Sequence, residues 1–307
     1  MSDLNRILAA TDFSEEAERA SYRAALLAAE RHAQLDLLHV ISKPSLDALR
    51  DLFRTSPDVP DQLLENVPHA LQQQADVLAR KAGIEVTARV AVGHVLDEIL
   101  LASVETDMLV VGAHGFNWPR EAILGTTAER LLGKCKRPML VVKRQAETAY
   151  ERVLVAVDFS DYSLNALLQA TWIAPNADIT AVHAYEVPFE GQLRRASVDK
   201  ASITNYRNEA RMKAVDSLRN IARDFGGDRY RVAQTVEHGN ASRVILAKEQ
   251  LLDAELIVIG KHGRSVGEEW LVGSVTRHIL AGSKCDVLVV QEGIERRSTV
   301  NAQVRPQ

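Results

Sequence analysis

The amino-acid sequence predicts an α/β fold made of two doubly wound, Rossmann-like domains in tandem, each with a five-stranded parallel sheet covered by helices on both faces. Three observations support this prediction. The 307 residues are about twice the length of an ordinary domain. Short apolar runs alternate with helix-like stretches, as in parallel sheets whose strands are buried on both sides. The second half of the chain repeats the motifs of the first half in the same order.

The repeat divides the chain into two halves. Residues 7–14 (ILAATDFS) return at 153–160 (VLVAVDFS), an offset of 146, and residues 109–115 (LVVGAHG) return at 257–263 (IVIGKHG), an offset of 148. The polar linker near residue 147 contains neither proline nor glycine, which favours halves that pack together. The repeat therefore predicts a first domain at residues 1–146, a second domain at 147–294 and a disordered tail at 295–307.

Within each half, short runs of Val, Ile, Leu and Ala predict five strands. In the first half they lie at residues 6–11, 36–41, 84–92, 108–112 and 139–143. In the second half they lie at residues 152–157, 179–185, 230–236, 256–259 and 287–290. Alternation with helices makes a parallel arrangement the natural one, because parallel strands need long crossover connections.

Helix-like periodicity fills most of the connections. It predicts helices at residues 14–32, 71–82, 95–104 and 127–132 of the first half, and at 163–174, 206–225, 243–252 and 275–280 of the second. Two segments, 42–61 and 186–202, contain prolines and lack this periodicity, so they are predicted to be mobile loops. Both follow a second strand, at the sheet edge where open α/β sheets bind ligands.

Composition and charge narrow the classes of function. Hydrophobic residues make up 46% and charged residues 25%, as in an ordinary globular protein. The formal charge of -4 argues against a nucleic acid or an anionic membrane as the main partner. Two cysteines are too few for a disulfide framework. With no export signal and no apolar run near the ~18 residues of a spanning helix, the sequence predicts a cytoplasmic protein.

A glycine loop follows the fourth predicted strand of each half. Both copies have the spacing G-x2-G-x9-G-[ST], formed by Gly112, Gly115, Gly125 and Thr126 in the first half and by Gly260, Gly263, Gly273 and Ser274 in the second. Glycine lets backbone N–H groups approach phosphate oxygens, and a helix start supplies further N–H groups and a favourable dipole. A structural alternative remains open, in which these glycines only end strands or form turns and the hydroxyl residues only cap helices.

Asp12 and Asp158 each end a first strand and precede Phe-Ser. A carboxylate at this position faces the same edge as the glycine loop and can accept hydrogen bonds from a ribose or a base. The alternative is helix N-capping, a role that Asp performs well.

Histidines and cysteines also recur at matched positions. His39, His183, His114 and His262 have no metal-site spacing around them, so we interpret them as core or loop residues. Cys135 and Cys285 lie beside Lys134, Lys136 and Lys284, which could lower a thiol pKa, but ordinary free cysteines are the preferred interpretation. No Walker A loop or nucleophile elbow is present.

Together these motifs resemble a universal stress protein domain, and the resemblance covers residues 4–144 and 150–292. It implies a sheet order of 3-2-1-4-5 and pairing of domains through their last strands, here within one chain, with a further homodimer left open. In this family the glycine pattern separates members that bind ATP from members that do not. The resemblance thus implies a stress-response protein that binds ATP, AMP or ADP, with or without Mg²⁺, and whose nucleotide occupancy regulates conformation or partner binding.

The resemblance also assigns roles to residues. Asp12 and Asp158 would contact the adenosine, and the backbones of Val40 and Ala184 would face the adenine. The ribose and phosphates would be surrounded by Gly112, Gly115, Gly125, Thr126 and Thr127 in the first half and by Gly260, Gly263, Gly273, Ser274 and Val275 in the second.

Some residues in the two glycine loops depart from the family pattern, and they indicate which of the two sites binds the nucleotide. The first loop carries the bulky segment 116–119, and the second offers Lys261 and Arg264 near the phosphates but also Glu268 and Glu269. The closer match of residues 273–276 favours the second site. No magnesium-holding acid or water-positioning residue can be identified, so any ATP hydrolysis is expected to be weak and binding without catalysis is preferred. Two alternatives stay open, a scaffold with one or both sites empty and a slow ATP hydrolase.

Overall fold

The computed structural model describes residues 4–53, 58–115, 124–224, 232–263 and 272–291. One ten-stranded sheet runs through both halves in the order β3-β2-β1-β4-β5-β10-β9-β6-β7-β8. The strands are β1 (Arg6–Ala10), β2 (Gln34–Ser42), β3 (Val86–Gly93), β4 (Met108–Gly112), β5 (Met139–Val142), β6 (Arg152–Ala156), β7 (Asp178–Tyr185), β8 (Val232–His238), β9 (Leu256–Gly260) and β10 (Asp286–Val290). Each half therefore has the order 3-2-1-4-5 that the resemblance implied.

Ten helices are present in the described parts of the chain, and they cover both faces of the sheet. They are α1 (Glu15–Arg31), α2 (Lys43–Leu52), α3 (Asp58–Ala82), α4 (Val95–Ser103), α5 (Thr126–Lys134), α6 (Asp161–Ile173), α7 (Glu190–Arg195), α8 (Lys200–Asp224), α9 (Ala241–Leu251) and α10 (Ser274–Gly282). None of these described helices has the length and apolarity that crossing a membrane would require.

The alternation of side chains along each strand builds a core on either side of the sheet. One core packs α1, α3, α6 and α8 against residues such as Ile7 and Val258. The other packs α4, α5, α9 and α10 against residues such as Leu109 and Ile257. Strands β4 and β10 are almost fully buried, which explains why their sequences are apolar throughout.

The two halves join through their last strands. Strands within each half are parallel, whereas β5 and β10 pair antiparallel with Leu140 opposite Leu288. The pairing of domains expected from the resemblance therefore occurs within this chain. Both cores continue across the junction, because residues of β5 and β10 belong to each of them.

Polar side chains fix the linker at this junction. The carboxylate of Asp286 is fully buried and accepts hydrogen bonds from the Tyr150 hydroxyl (2.7 Å) and the backbone N–H groups of Lys143 (2.8 Å) and Arg144 (3.1 Å). The guanidinium of Arg23, on α1, lies 3.4 Å from the same carboxylate and stacks over the Tyr150 ring. A buried charge is tolerated here because it is both paired and hydrogen-bonded.

The two predicted loops contain helices, so that prediction was wrong in its detail. Within 42–61 lie α2 and the start of α3, and within 186–202 lie α7 and the start of α8. Pro44 occupies the first turn of α2, where its missing N–H costs nothing, and the Ser42 side chain caps the helix. The predicted tail at 295–307 lies outside the described residues.

Candidate functional site

A cavity of about 450 Å³ opens at the carboxyl ends of β1 and β4 in the first half. Strand β1 lies between β2 and β4, so the chain reverses its direction of winding at this point, where open α/β sheets place their ligands. The residues predicted for the first site all line this cavity: Asp12, Val40, Gly112, Gly115, Gly125, Thr126 and Thr127.

Asp12 is held by the turn that follows it. Its Oδ1 atom accepts hydrogen bonds from the backbone N–H (3.0 Å) and the hydroxyl (2.5 Å) of Ser14. The turn is tight because Phe13 adopts a left-handed φ of 63°. Ser14, and not Asp12, caps α1 by accepting from the N–H of Ala17. The capping alternative for Asp12 is therefore wrong, and the same geometry makes Ser160 the cap of α6 in place of Asp158.

The remaining carboxylate oxygen of Asp12 meets the glycine loop. A Cβ added to Gly115 would lie 2.7 Å from Oδ2, and a Cβ added to Gly112 would lie 3.0 Å from the backbone of Glu16 on α1. A side chain at either position would force its neighbour to shift, the Asp12 carboxylate at Gly115 and the α1 backbone at Gly112. The loop and the carboxylate thus form one wall of the cavity.

The helix α5 begins at the opposite side of this loop. Gly125 is its N-cap, and no side chain caps the helix. Thr126 is the first helical residue, so the alternative in which its hydroxyl serves as the cap is wrong, and the same holds for Ser274 after Gly273. The first backbone N–H groups of a helix have no intrahelical acceptor, so they make this end of the cavity suited to an anion.

His39 also lines the cavity, although the sequence indicated only a core or loop position. Its Nδ1 atom lies 2.9 Å from the carbonyl oxygen of Thr11. The centroid of its ring lies 4.5 Å from the centroid of the Phe13 ring. Burial lowers the pKa of His39 below its ordinary value, because desolvation disfavours the charged ring.

The rest of the lining is mainly apolar. Sequence reasoning missed several of these residues, among them Thr11, Leu38, Val95, Ile99, Val111 and Leu131. Their signal was available in part, because each lies at or near the carboxyl end of a strand or on the helix that follows. The cavity therefore combines an apolar lining with a few polar groups, among them Asp12, His39 and the glycine loop.

The second half repeats the geometry. Its predicted residues line a second cavity of about 160 Å³: Asp158, Ala184, Gly260, Gly263, Gly273, Ser274 and Val275. Asp158 Oδ1 accepts from the Ser160 hydroxyl at 2.5 Å, and a Cβ on Gly263 would lie 2.8 Å from Asp158 Oδ2. His183 Nδ1 lies 2.7 Å from the Val157 carbonyl oxygen. The two halves thus share the arrangement of carboxylate, glycine loop and helix start.

Lys261 does not lie where the sequence suggested. Its ammonium group donates a hydrogen bond of 2.9 Å to the carbonyl oxygen of Gly133 in the first half, and the residue is only 6% exposed. The expectation that this lysine faces the phosphates is therefore wrong. The other loop residues on which site preference rested, Arg264, Glu268, Glu269 and segment 116–119, lie outside the described residues. Among the residues that are described, no group of three or more His, Cys, Asp or Glu could hold a metal ion.

Comparisons with known proteins identify the family. The profile of the universal stress protein family matches residues 4–143 and again 149–291. A universal stress protein of Mycolicibacterium smegmatis is 26% identical over 299 residues, which cover 93% of this chain and 96% of the relative. Universal stress protein A homolog 2 of Coxiella burnetii is 31% identical over 148 residues, 46% of this chain and 95% of that protein.

A solved structure agrees in fold. The crystal structure of a universal stress protein from Archaeoglobus fulgidus superposes with a TM-score of 0.66 at 22% identity, and covers 95% of this chain and 100% of the other. Since the family profile matches both halves and most of the chain, this protein belongs to the universal stress protein family, with two such domains in tandem.

Proposed function

We propose that this protein binds an adenine nucleotide, ATP or its products AMP and ADP, at the glycine-loop site of its fold. One observation carries the proposal: a carboxylate, a glycine loop and an uncapped helix start all face the same 450 Å³ cavity. That volume lies within the range of about 300–1,000 Å³ that is usual for small-molecule sites.

The polar end of the cavity fits a phosphate group. Gly112 and Gly115 leave no side chain between the loop backbone and the cavity, and α5 directs its first N–H groups toward the same space. Such N–H groups bind phosphate without a lysine, because hydrogen bonds and the helix dipole both favour an anion. The hydroxyls of Thr126 and Thr127 add two further donors.

Asp12, beside the glycine loop, and the apolar lining together fit a nucleoside. Asp12 is an acceptor held in place by Ser14, which suits it to the hydroxyl groups of a ribose. Leu38, Val95 and Ile99 supply an apolar surface for a flat base, and the backbone at Val40 offers polar groups to its edge. This is the distribution of roles that the family resemblance implied from the sequence.

We further propose that nucleotide occupancy serves the stress response by changing conformation or partner binding. A ligand that contacts α1, the glycine loop and α5 together would favour the arrangement in which these elements are close. Mg²⁺ would accompany ATP through the phosphates, since the described protein groups include no acidic cluster that could hold it.

Isothermal titration calorimetry of the full chain with ATP, ADP and AMP tests the proposal. We expect saturable binding, together with a rise in melting temperature that grows with nucleotide concentration. Titration with GTP measures how far affinity depends on the adenine base, and titration with adenosine measures how far it depends on the phosphates. The absence of both heat and stabilisation at millimolar ATP would show that the proposal is wrong and would favour the scaffold alternative.

A further inference from the structure

The two candidate sites share their backbone plan but differ in volume. The first cavity measures about 450 Å³ and the second about 160 Å³. The second volume falls below the range of about 300–1,000 Å³ that is usual for small-molecule sites. Three substitutions between the halves add contacts around the second site: Thr276 lines the smaller cavity itself, whereas Lys261 and Tyr162 lie outside its lining and hold the glycine loop beside it.

The first substitution places Thr276 where the first half has Ala128. Thr276 lines the second cavity, is 3% exposed and donates a hydrogen bond of 2.8 Å from its hydroxyl to the carbonyl oxygen of Gly260. This bond ties the first turn of α10 to the end of β9. Ala128 has no hydroxyl, so α5 has no such tie to β4.

The second substitution places Lys261 where the first half has Ala113. The lysine leaves the glycine loop and reaches Gly133 in the other domain, where its ammonium group is 2.9 Å from the carbonyl oxygen. A buried charge-assisted hydrogen bond holds the loop backbone against the domain junction. The loop of the first domain has only a methyl group at this position.

The third substitution places Tyr162 where the first half has Glu16. The Tyr162 ring packs edge-on against the His262 ring, with centroids 5.5 Å apart, and its Cβ lies 2.7 Å from the position of a Cβ on Gly260. Tyr162 therefore restrains His262, the neighbour of Lys261, which is itself anchored at Gly133. Val275 also replaces Thr127, which removes one hydroxyl donor from the second cavity.

From these contacts we infer that the chain binds one adenine nucleotide, in the first domain, and that the second domain is a closed copy of the site. The inference rests on the proposed function and specifies which site performs it. It reverses the preference for the second site that the sequence pattern favoured. Thr276 narrows the second cavity from within, Lys261 and Tyr162 fix the glycine loop beside it, and the remaining 160 Å³ is too small for a nucleotide although the glycine pattern is complete.

Calorimetry with ATP on a matched pair of variants tests this inference. Asp12→Asn and Asp158→Asn keep the side-chain shape and the Oδ1 acceptor that Ser14 or Ser160 uses, so both are expected to fold. We expect one nucleotide per wild-type chain, a tenfold or greater loss of affinity in Asp12→Asn and a change below twofold in Asp158→Asn. Circular dichroism checks that each variant is folded.

The possible outcomes separate the two claims. Two nucleotides per chain, or a loss of affinity confined to Asp158→Asn, would overturn the single-site inference and leave the proposed function intact. No binding to the wild-type chain would overturn both. A Thr276→Ala/Tyr162→Glu variant, which restores the residues of the first domain, is expected to gain a second binding event; a stoichiometry that stays at one would refute closure by these residues.

Discussion

The ammonium group of Lys261 donates a hydrogen bond to the carbonyl oxygen of Gly133, across the junction between the two domains. Gly133 lies in the last turn of α5, where backbone carbonyls lack intrahelical donors and a cation is favourable. Lys143 of the first domain makes the reciprocal contact: its ammonium group donates hydrogen bonds to the carbonyl oxygens of Leu280 and Ser283 at the end of α10 in the second domain. Each domain thus supplies a lysine that caps the C-terminus of the helix after the glycine loop in the other domain, α5 or α10.

This exchange predicts a loss of stability on Lys261→Met. Methionine keeps the aliphatic length of the side chain but cannot donate to Gly133, so we expect the free energy of unfolding to fall by about 1.5–3 kcal/mol. Urea denaturation followed by circular dichroism measures it. Lys284→Met, at an exposed lysine of the same domain, is the control and should change stability by less than about 0.5 kcal/mol. Equal effects of the two changes would contradict the assigned role.

Gly115→Ala is predicted to weaken nucleotide binding at least tenfold. The new Cβ would lie 2.7 Å from Asp12 Oδ2, and the carboxylate cannot turn away without breaking its hydrogen bonds from Ser14. Fluorescence titration with an ATP analogue measures the affinity. Gly191→Ala is the matched control, because nothing lies within 4 Å of its added Cβ. Unchanged affinity in Gly115→Ala would mean that the ligand does not use this wall.

Asp286→Ala is predicted to cost about 3–5 kcal/mol of stability, because it leaves the buried guanidinium of Arg23 without its partner carboxylate. Tyr150→Phe removes one hydrogen bond to the same carboxylate and should cost about 1.5–3 kcal/mol. Thermal and urea unfolding of the two variants give the comparison. A loss below about 1 kcal/mol for Asp286→Ala would show that the junction does not depend on this network.

The two cysteines are predicted to be unreactive in the folded protein. Burial raises the pKa of both thiols, and Glu249 raises that of Cys285 further, so the sequence alternative of lysine-lowered thiol pKa values is wrong. Because a raised pKa keeps the thiol protonated to higher pH, moving from pH 7 to pH 9 should not start the reaction.

A thiol-reactive chromophore tests this prediction by counting accessible thiols. We expect none to react within minutes in the native state and two to react in denaturant. Rapid modification of either cysteine at pH 7 in the native protein would contradict the burial argument.

The strands could be predicted from the sequence because buried parallel strands leave a local signal, an unbroken apolar run, whereas the sheet order came from the family resemblance. The fourteen predicted site residues line the two cavities for a related reason: carboxyl strand ends and glycine loops occupy the same edge whatever the details of packing. Helix α2 was missed because a proline in a first turn and a proline that breaks a helix have the same local sequence, and α7 was missed because its six residues are too few to show helical periodicity.

The difference between the cavities could not be predicted, because it depends on contacts between residues far apart in the chain. The partner of Lys261 is 128 residues away, and the bond from Thr276 to Gly260 spans 16 residues. In the sequence, Lys261 between two loop glycines resembles a phosphate ligand. Only the position of α5 against the second domain shows that the lysine points elsewhere.

The antiparallel pairing of β5 with β10 sets the direction in which the strands of each half point. Because the strands of each half are parallel to one another but the halves run in opposite directions, the carboxyl ends of β1 and β4 lie on one rim of the sheet and those of β6 and β9 on the other. The two cavities therefore open at opposite rims of the sheet. The two candidate sites are thus exposed on opposite sides of the molecule, and a ligand in the first cavity would be accessible to partners from one rim only.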